Sequence, residues 1–152
     1  MKHPHVIILG FDEWLARQIR PLCDEHRWLL HDVRQPGAAK TLLHERRPAV
    51  LAVQIDPHAE TSPGIALLAE THSMLPDVMI VVVSDGKLPD EDRSRWTASL
   101  LDLGAGFVLF PPLTGPVLED LVGGLMSALL SRLRPSMVSD VIDLAEEGTV
   151  PL

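Results

Sequence analysis

A doubly wound, mostly parallel α/β sheet is the fold this sequence predicts, and three observations predict it. Short β-branched runs alternate with segments of helical periodicity through residues 5–133. The run "DVMIVVVSD" (77–85) is apolar without alternation, as in a strand covered on both faces. The breaks between runs are turn chemistry, "QPG" (35–37) and "LGAG" (103–106) among them. Strands that alternate with helices imply right-handed crossovers and a parallel sheet with helices on both sides.

"HVIILG" (5–10) reads as the first strand. "DEWLARQIRPLCDEH" (12–26) follows as a helix, with Leu15, Ile19, Leu22 and Cys23 at helical spacing and Asp12 as its N-cap. Pro21 lacks a backbone donor and should kink or end that helix locally. "RWLLHDV" (27–33) is a second strand, "AAKTLLHERR" (38–47) a second helix and "AVLAVQ" (49–54) a third strand. "SPGIALLAETHSML" (62–75) is a third helix, its inward positions Ile65, Leu68 and Leu75, and "DVMIVVVSD" is the fourth strand. "PDEDRSRWTASLLDLGA" (89–105) is a fourth helix whose acidic first turn suits the helix dipole and whose stop is Gly104. "GFVLF" (106–110) is a short fifth strand, and "TGPVLEDLVGGLMSALLSRLR" (114–134) a long fifth helix capped by Thr114. Five such units fit a flavodoxin-like sheet of strand order 2-1-3-4-5. Residues 1–134 are one domain on this reading. Residues 135–152 form a tail in which Val138, Val141, Ile142 and Ala145 predict a short amphipathic helix, docked on its own domain or on a partner.

Composition narrows the function. Hydrophobic residues make up 46% and charged residues 22% of 152, as in a globular protein with a real core. A formal net charge of -8, with "HERRP" (44–48) the densest basic spot, argues against direct nucleic-acid binding. One cysteine, Cys23, excludes an internal disulfide framework and reads as a small core residue. The apolar run at the amino terminus is too short for a signal peptide, and no segment approaches the about 18 apolar residues of a membrane span. A cytoplasmic location is expected.

The stretch "LDLGAGFVLFPPLTGPVLEDLV" (101–122) resembles the helix, Gly-Ala turn, fifth strand, proline and final helix of bacterial response-regulator receiver domains. "GIALLAETHSMLPDVMIVVVSD" (64–85) is similar to their third helix and fourth strand. The resemblance covers residues 5–133 and implies a two-component signalling domain. In such domains an aspartate at the end of the third strand accepts a phosphoryl group. Two acids after the first strand hold Mg²⁺, a hydroxyl follows the fourth strand, and a lysine follows the fifth.

Carried onto this chain, the acid pair becomes Gly10 and Phe11, the acceptor Gln54, the hydroxyl Ser84 and the lysine Pro111. The aromatic usual within the fifth strand becomes Val108, with Phe107 beside it. Mg²⁺ prefers carboxylate oxygens, an amide forms no acyl phosphate under ordinary conditions, and proline carries no charge. The resemblance therefore implies a degenerate, phosphorylation-independent pseudo-receiver that is not an enzyme and works by protein–protein contact. Asp56, with Asp12 and Asp85, offers the alternative of a rearranged acid set that takes phosphate on Asp56; equally, these three are cap and turn residues. A small-molecule-sensing domain that uses the same cleft is a further alternative. No phosphate-binding loop accompanies it, the seven histidines show no zinc-enzyme spacing, and no cofactor is expected.

In receivers the fourth helix, fifth strand and fifth helix make the dimer or output face. Carried over, that face comprises Trp96, Val108, Leu118, Leu121 and Leu125, with a second copy of the chain or another signalling protein as the partner. Trp14 and Trp96 fall off the assigned core stripes, which allows either exposure of one or both at a contact surface or, the stronger reading, a ring laid flat on a neighbouring helix. Gly123 and Gly124 weaken the fifth helix by about 1 kcal/mol each relative to alanine.

Overall fold

The computed structural model describes residues 3–59 and 62–149, with side-chain surroundings through residue 132. Its elements in chain order are β1 His5–Leu9, α1 Trp14–His26, β2 Leu29–Val33, α2 Pro36–Glu45, β3 Ala49–Ile55, α3 Pro63–Met74, β4 Met79–Ser84, α4 Asp90–Leu103, β5 Phe107–Leu109 and α5 Gly115–Thr149. All neighbouring strands pair in parallel, in the order β2-β1-β3-β4-β5. The flavodoxin-like order read from the alternation is the one found.

Strand alternation sorts the central residues onto two faces. Val6, Ile8, Val50, Ala52, Val81 and Val83 pack on one side against Leu15, Ile19 and Leu22 of α1 and Leu118, Val122, Leu125 and Met126 of α5. Ile7, Leu9, Leu51, Val53, Ile80 and Val82 pack on the other against Leu43 of α2, Leu67 and Leu68 of α3 and Leu100 of α4. Both faces of β1, β3 and β4 are therefore covered, which is why these strands read as unbroken apolar runs.

Several local expectations need correction. Pro21 neither ends nor divides α1, which continues to His26 and closes at Arg27 in the left-handed region (φ 58°). An absent N–H removes one bond of the ladder, and the packing of Leu15, Ile19 and Leu22 retains the rest. Asp12 is not the N-cap residue of α1, a position Glu13 holds; its carboxylate instead accepts from the Trp14 N–H at 3.0 Å. Likewise α5 runs unbroken past Arg134 and Pro135 to Thr149, so the backbone shows no separate tail helix. The side chains of residues 133–149 and all of 150–152, where the amphipathic stripe was read, lie outside the described residues.

Gly104 does stop α4 as expected. It adopts φ 121°, a region L side chains rarely enter, and its N–H returns to the carbonyls of the last turn. Among the described residues, no helix is long and apolar enough to cross a membrane.

Candidate functional site

The carboxyl ends of β1, β3 and β4 meet at the point where the strand order reverses, the usual place for a site in an open α/β sheet. Gln54 occupies the centre. Its parity follows Val50 and Ala52, so its side chain leaves the sheet on the α1/α5 side, where Gly10 continues the series Val6, Ile8 on β1. Gln54 is 6% exposed, and its Oε1 accepts the Phe11 N–H at 2.7 Å. A Cβ at residue 10 would lie 2.8 Å from that oxygen. A side chain at position 10 would therefore displace the Gln54 amide oxygen from where it meets Phe11 N–H. Phe11 itself turns outward, 54% exposed, and contributes its backbone rather than its ring.

Ser84 has the opposite parity and faces the α4 side, fully buried. There the Trp96 Nε1–H donates to its Oγ at 2.9 Å. Trp96 and Trp14 are both half-buried against the core, so of the two readings the packed ring is the one found.

The three aspartates are each engaged in a local turn. Asp12 accepts from Trp14 N–H, Asp56 Oδ1 from His58 N–H at 2.9 Å, and Asp85 Oδ1 from Gly86 N–H at 3.1 Å. Asp12 and Asp85 share a cleft of about 210 Å³ with Trp14, Gln54 and Pro111. Asp56 opens instead into a second cavity, which it shares with Gln54. Among the described residues, no group of three or more His, Cys, Asp and Glu side chains is arranged to hold a metal ion. The gathering of Asp12, Asp56 and Asp85 around one cation is not what the chain builds. A neighbouring backbone N–H engages one oxygen of each carboxylate where it stands. Pro111 borders the smaller cleft.

The second cavity, of about 490 Å³, was not foreseen. It lies between the ends of β1 and β3 and the starts of α2 and α3, with Arg34, Gln35, Pro36 and Ser62 to Gly64 among its walls. Arg34 is forked onto Asp32, with N–O distances of 2.6 and 3.1 Å. The sequence signal was available: Gln35-Pro36 and Ser62-Pro63 are both helix starts with proline in the first turn. Such starts bring uncapped N–H groups to the carboxyl edge of the sheet.

The output face needs a larger correction. Leu118 (1% exposed) and Leu125 (6%) belong to the core, and Leu121 is half-buried against it. Trp96 and Val108 pack half-buried on the opposite cluster. Residues at helical spacing in α5 form the stripe that the sheet covers. Among the described residues, the large apolar side chains left exposed on these elements are Leu101, Phe107 and Val117.

By sequence, the chain matches no known family profile and no curated protein. Solved structures do resemble it. NtrX from Brucella abortus superposes with a TM-score of 0.66 at 18% identity, over 93% of this chain and 30% of NtrX, so the chain spans under a third of that protein. The signal receiver domain of an HD domain-containing protein from Pseudomonas fluorescens Pf-5 gives 0.65 at 17% identity, over 86% of this chain and 99% of that one. The CheY-like receiver domain protein from Methanospirillum hungatei JF-1 gives 0.60 at 15% identity, over 89% and 99%. The fold is that of a receiver domain.

Proposed function

We propose that this chain is a pseudo-receiver: a signalling domain that contacts protein partners in the cytoplasm without aspartyl phosphorylation and without enzymatic activity of its own. The bond from Phe11 N–H to Gln54 Oε1 carries this reading. A receiver's acceptor carboxylate and its metal-binding acids repel one another until Mg²⁺ and a lysine offset the charge. Here the amide accepts a backbone N–H directly, and Gly10, Phe11 and Pro111 bring no charge that would need balancing. The pocket is stable as it stands, so its shape is constant rather than switched by phosphate.

Partner contact falls to the edge formed by α4 and β5 with the first turn of α5. There Leu101, Phe107 and Val117 leave apolar surface in water, and β5 offers a short unpaired strand edge. A second copy of the chain or another signalling protein would cover it.

Incubation with acetyl phosphate and Mg²⁺, followed by intact mass measurement, tests the reading. The expected result is no mass gain. Gain of one phosphoryl group, abolished by Asp56→Asn, would replace it with a receiver that uses Asp56.

A further inference from the structure

We infer that the last part of α5 pairs, antiparallel, with the same segment of a second copy of this chain. As far as Leu129 the inner stripe of α5 is buried in the core between α1 and the sheet. At Arg132 the helix has reached the amino edge of the sheet, for the guanidinium Nη1 lies 3.7 Å from the Sδ of Met79, the first residue of β4. The backbone stays helical to Thr149, about 25 Å further at 1.5 Å per residue. That length runs on past the ends of the strands. A helix so short is marginal in water unless one face is packed.

The residue types along this length fit a copy of themselves. Arg134, Val138, Val141 and Ala145 follow spacings of four, three and four, the seam of a two-helix coil, and Met137 and Leu144 flank it. Charge sets the direction. The segment is basic at its start, with Arg132 and Arg134, and acidic after it, with Asp140, Asp143, Glu146 and Glu147 and no further Lys or Arg. Arg132 makes no ion pair among the described residues. In an antiparallel pair Val138 of one copy comes level with Val141 of the other. That register sets Arg134 beside Ala145 and Glu146 of the second copy, and Arg132 beside its Glu147. The two-fold axis repeats each pairing. A parallel pair would set Arg134 against Arg134 and the acidic ends side by side, which like charges disfavour. This surface is separate from the α4–β5 edge and independent of phosphorylation at the end of β3.

Sedimentation equilibrium of the full chain, from about 1 to about 200 μM, tests the pairing. The expected result is a reversible monomer–dimer equilibrium that high salt weakens. Val141→Asp puts a carboxylate into each of the two central layers and should weaken the dimer at least about tenfold. Phe107→Asp, on β5, should leave it unchanged. Direction is read by oxidative cross-linking, in which the buried Cys23 takes no part. Chains carrying Met137→Cys mixed with chains carrying Leu144→Cys should give the mixed disulfide, and Met137→Cys alone should not link to itself. A chain that stays monomeric throughout, or a dimer that Phe107→Asp dissociates and Val141→Asp does not, would overturn the pairing. Self-linking of Met137→Cys would overturn the antiparallel direction.

Discussion

The indole Nε1–H of Trp96 donates to the Oγ of Ser84 across 2.9 Å, fastening α4 to the carboxyl end of β4. The buried Ser84 hydroxyl is therefore already engaged, and by an element of the expected output face. Trp96→Phe should destabilise the fold by about 1 kcal/mol, the usual net worth of such a bond, with some further loss of packing. A double-mutant cycle with Ser84→Ala, read from urea unfolding, should give a coupling energy of about 0.5–1.5 kcal/mol. Additive effects would show that the bond contributes nothing.

Gln54 is predicted to be structural first. Gln54→Leu leaves the Phe11 N–H without its acceptor beneath a buried side chain, and should cost about 1–3 kcal/mol by denaturant unfolding. Gln54→Asp should not restore phosphorylation from acetyl phosphate, because no acid pair stands at residues 10 and 11 and no lysine at 111. Intact mass is the readout.

Stability should fall in mild acid through a histidine pair on neighbouring strands. His5 Nδ1 and His31 Nε2 are 2.9 Å apart, with the rings stacked at 5.1 Å. Burial, chiefly, then the charge of His31 and of the nearby Arg46 and His3 hold His5 below the ordinary 6.5. Burial and Arg46 do the same to His31. Between those lowered values and 6.5 the unfolded chain binds more protons than the folded one. The stabilisation is therefore complete above 6.5 and is lost as pH falls below it. Urea midpoints measured at about pH 8 and about pH 5 should differ, with the lower value in acid, and His31→Phe should reduce the difference.

Cys23 should be inert in the folded state. It is 1% exposed in the core between α1 and the sheet, and burial, with Asp24, pushes its thiol up to about 11. Reaction with a disulfide reagent at about pH 8 should be slow in buffer and fast in urea, tracking unfolding. Rapid labelling of the native chain would contradict the packing.

The local chemistry of the chain was legible because it is periodic. Alternating parity along β1, β3 and β4 announced a sheet buried on both faces, and the ends of those strands placed Gly10, Gln54 and Ser84 at one edge. What misled was the same periodicity in α5. Leu118 and Leu125 read as an output face because family precedent put them there, whereas their spacing with Val122 and Met126 is the stripe the sheet covers. Pro21 and Pro135 misled in the other direction. A missing N–H weakens a helix by one bond, and neither α1 nor the backbone of α5 ends there.

By itself the sequence determined the strand order and the two-sided core. Those features depend on residue type and on spacing within single segments, which a linear chain displays in full. Only the tertiary structure decided that Trp96 meets Ser84 and that Gln54 accepts from Phe11. The reason is physical: such contacts join segments far apart in the chain. Their geometry is set by how the crossover helices seat on a twisted sheet, and no local pattern specifies it.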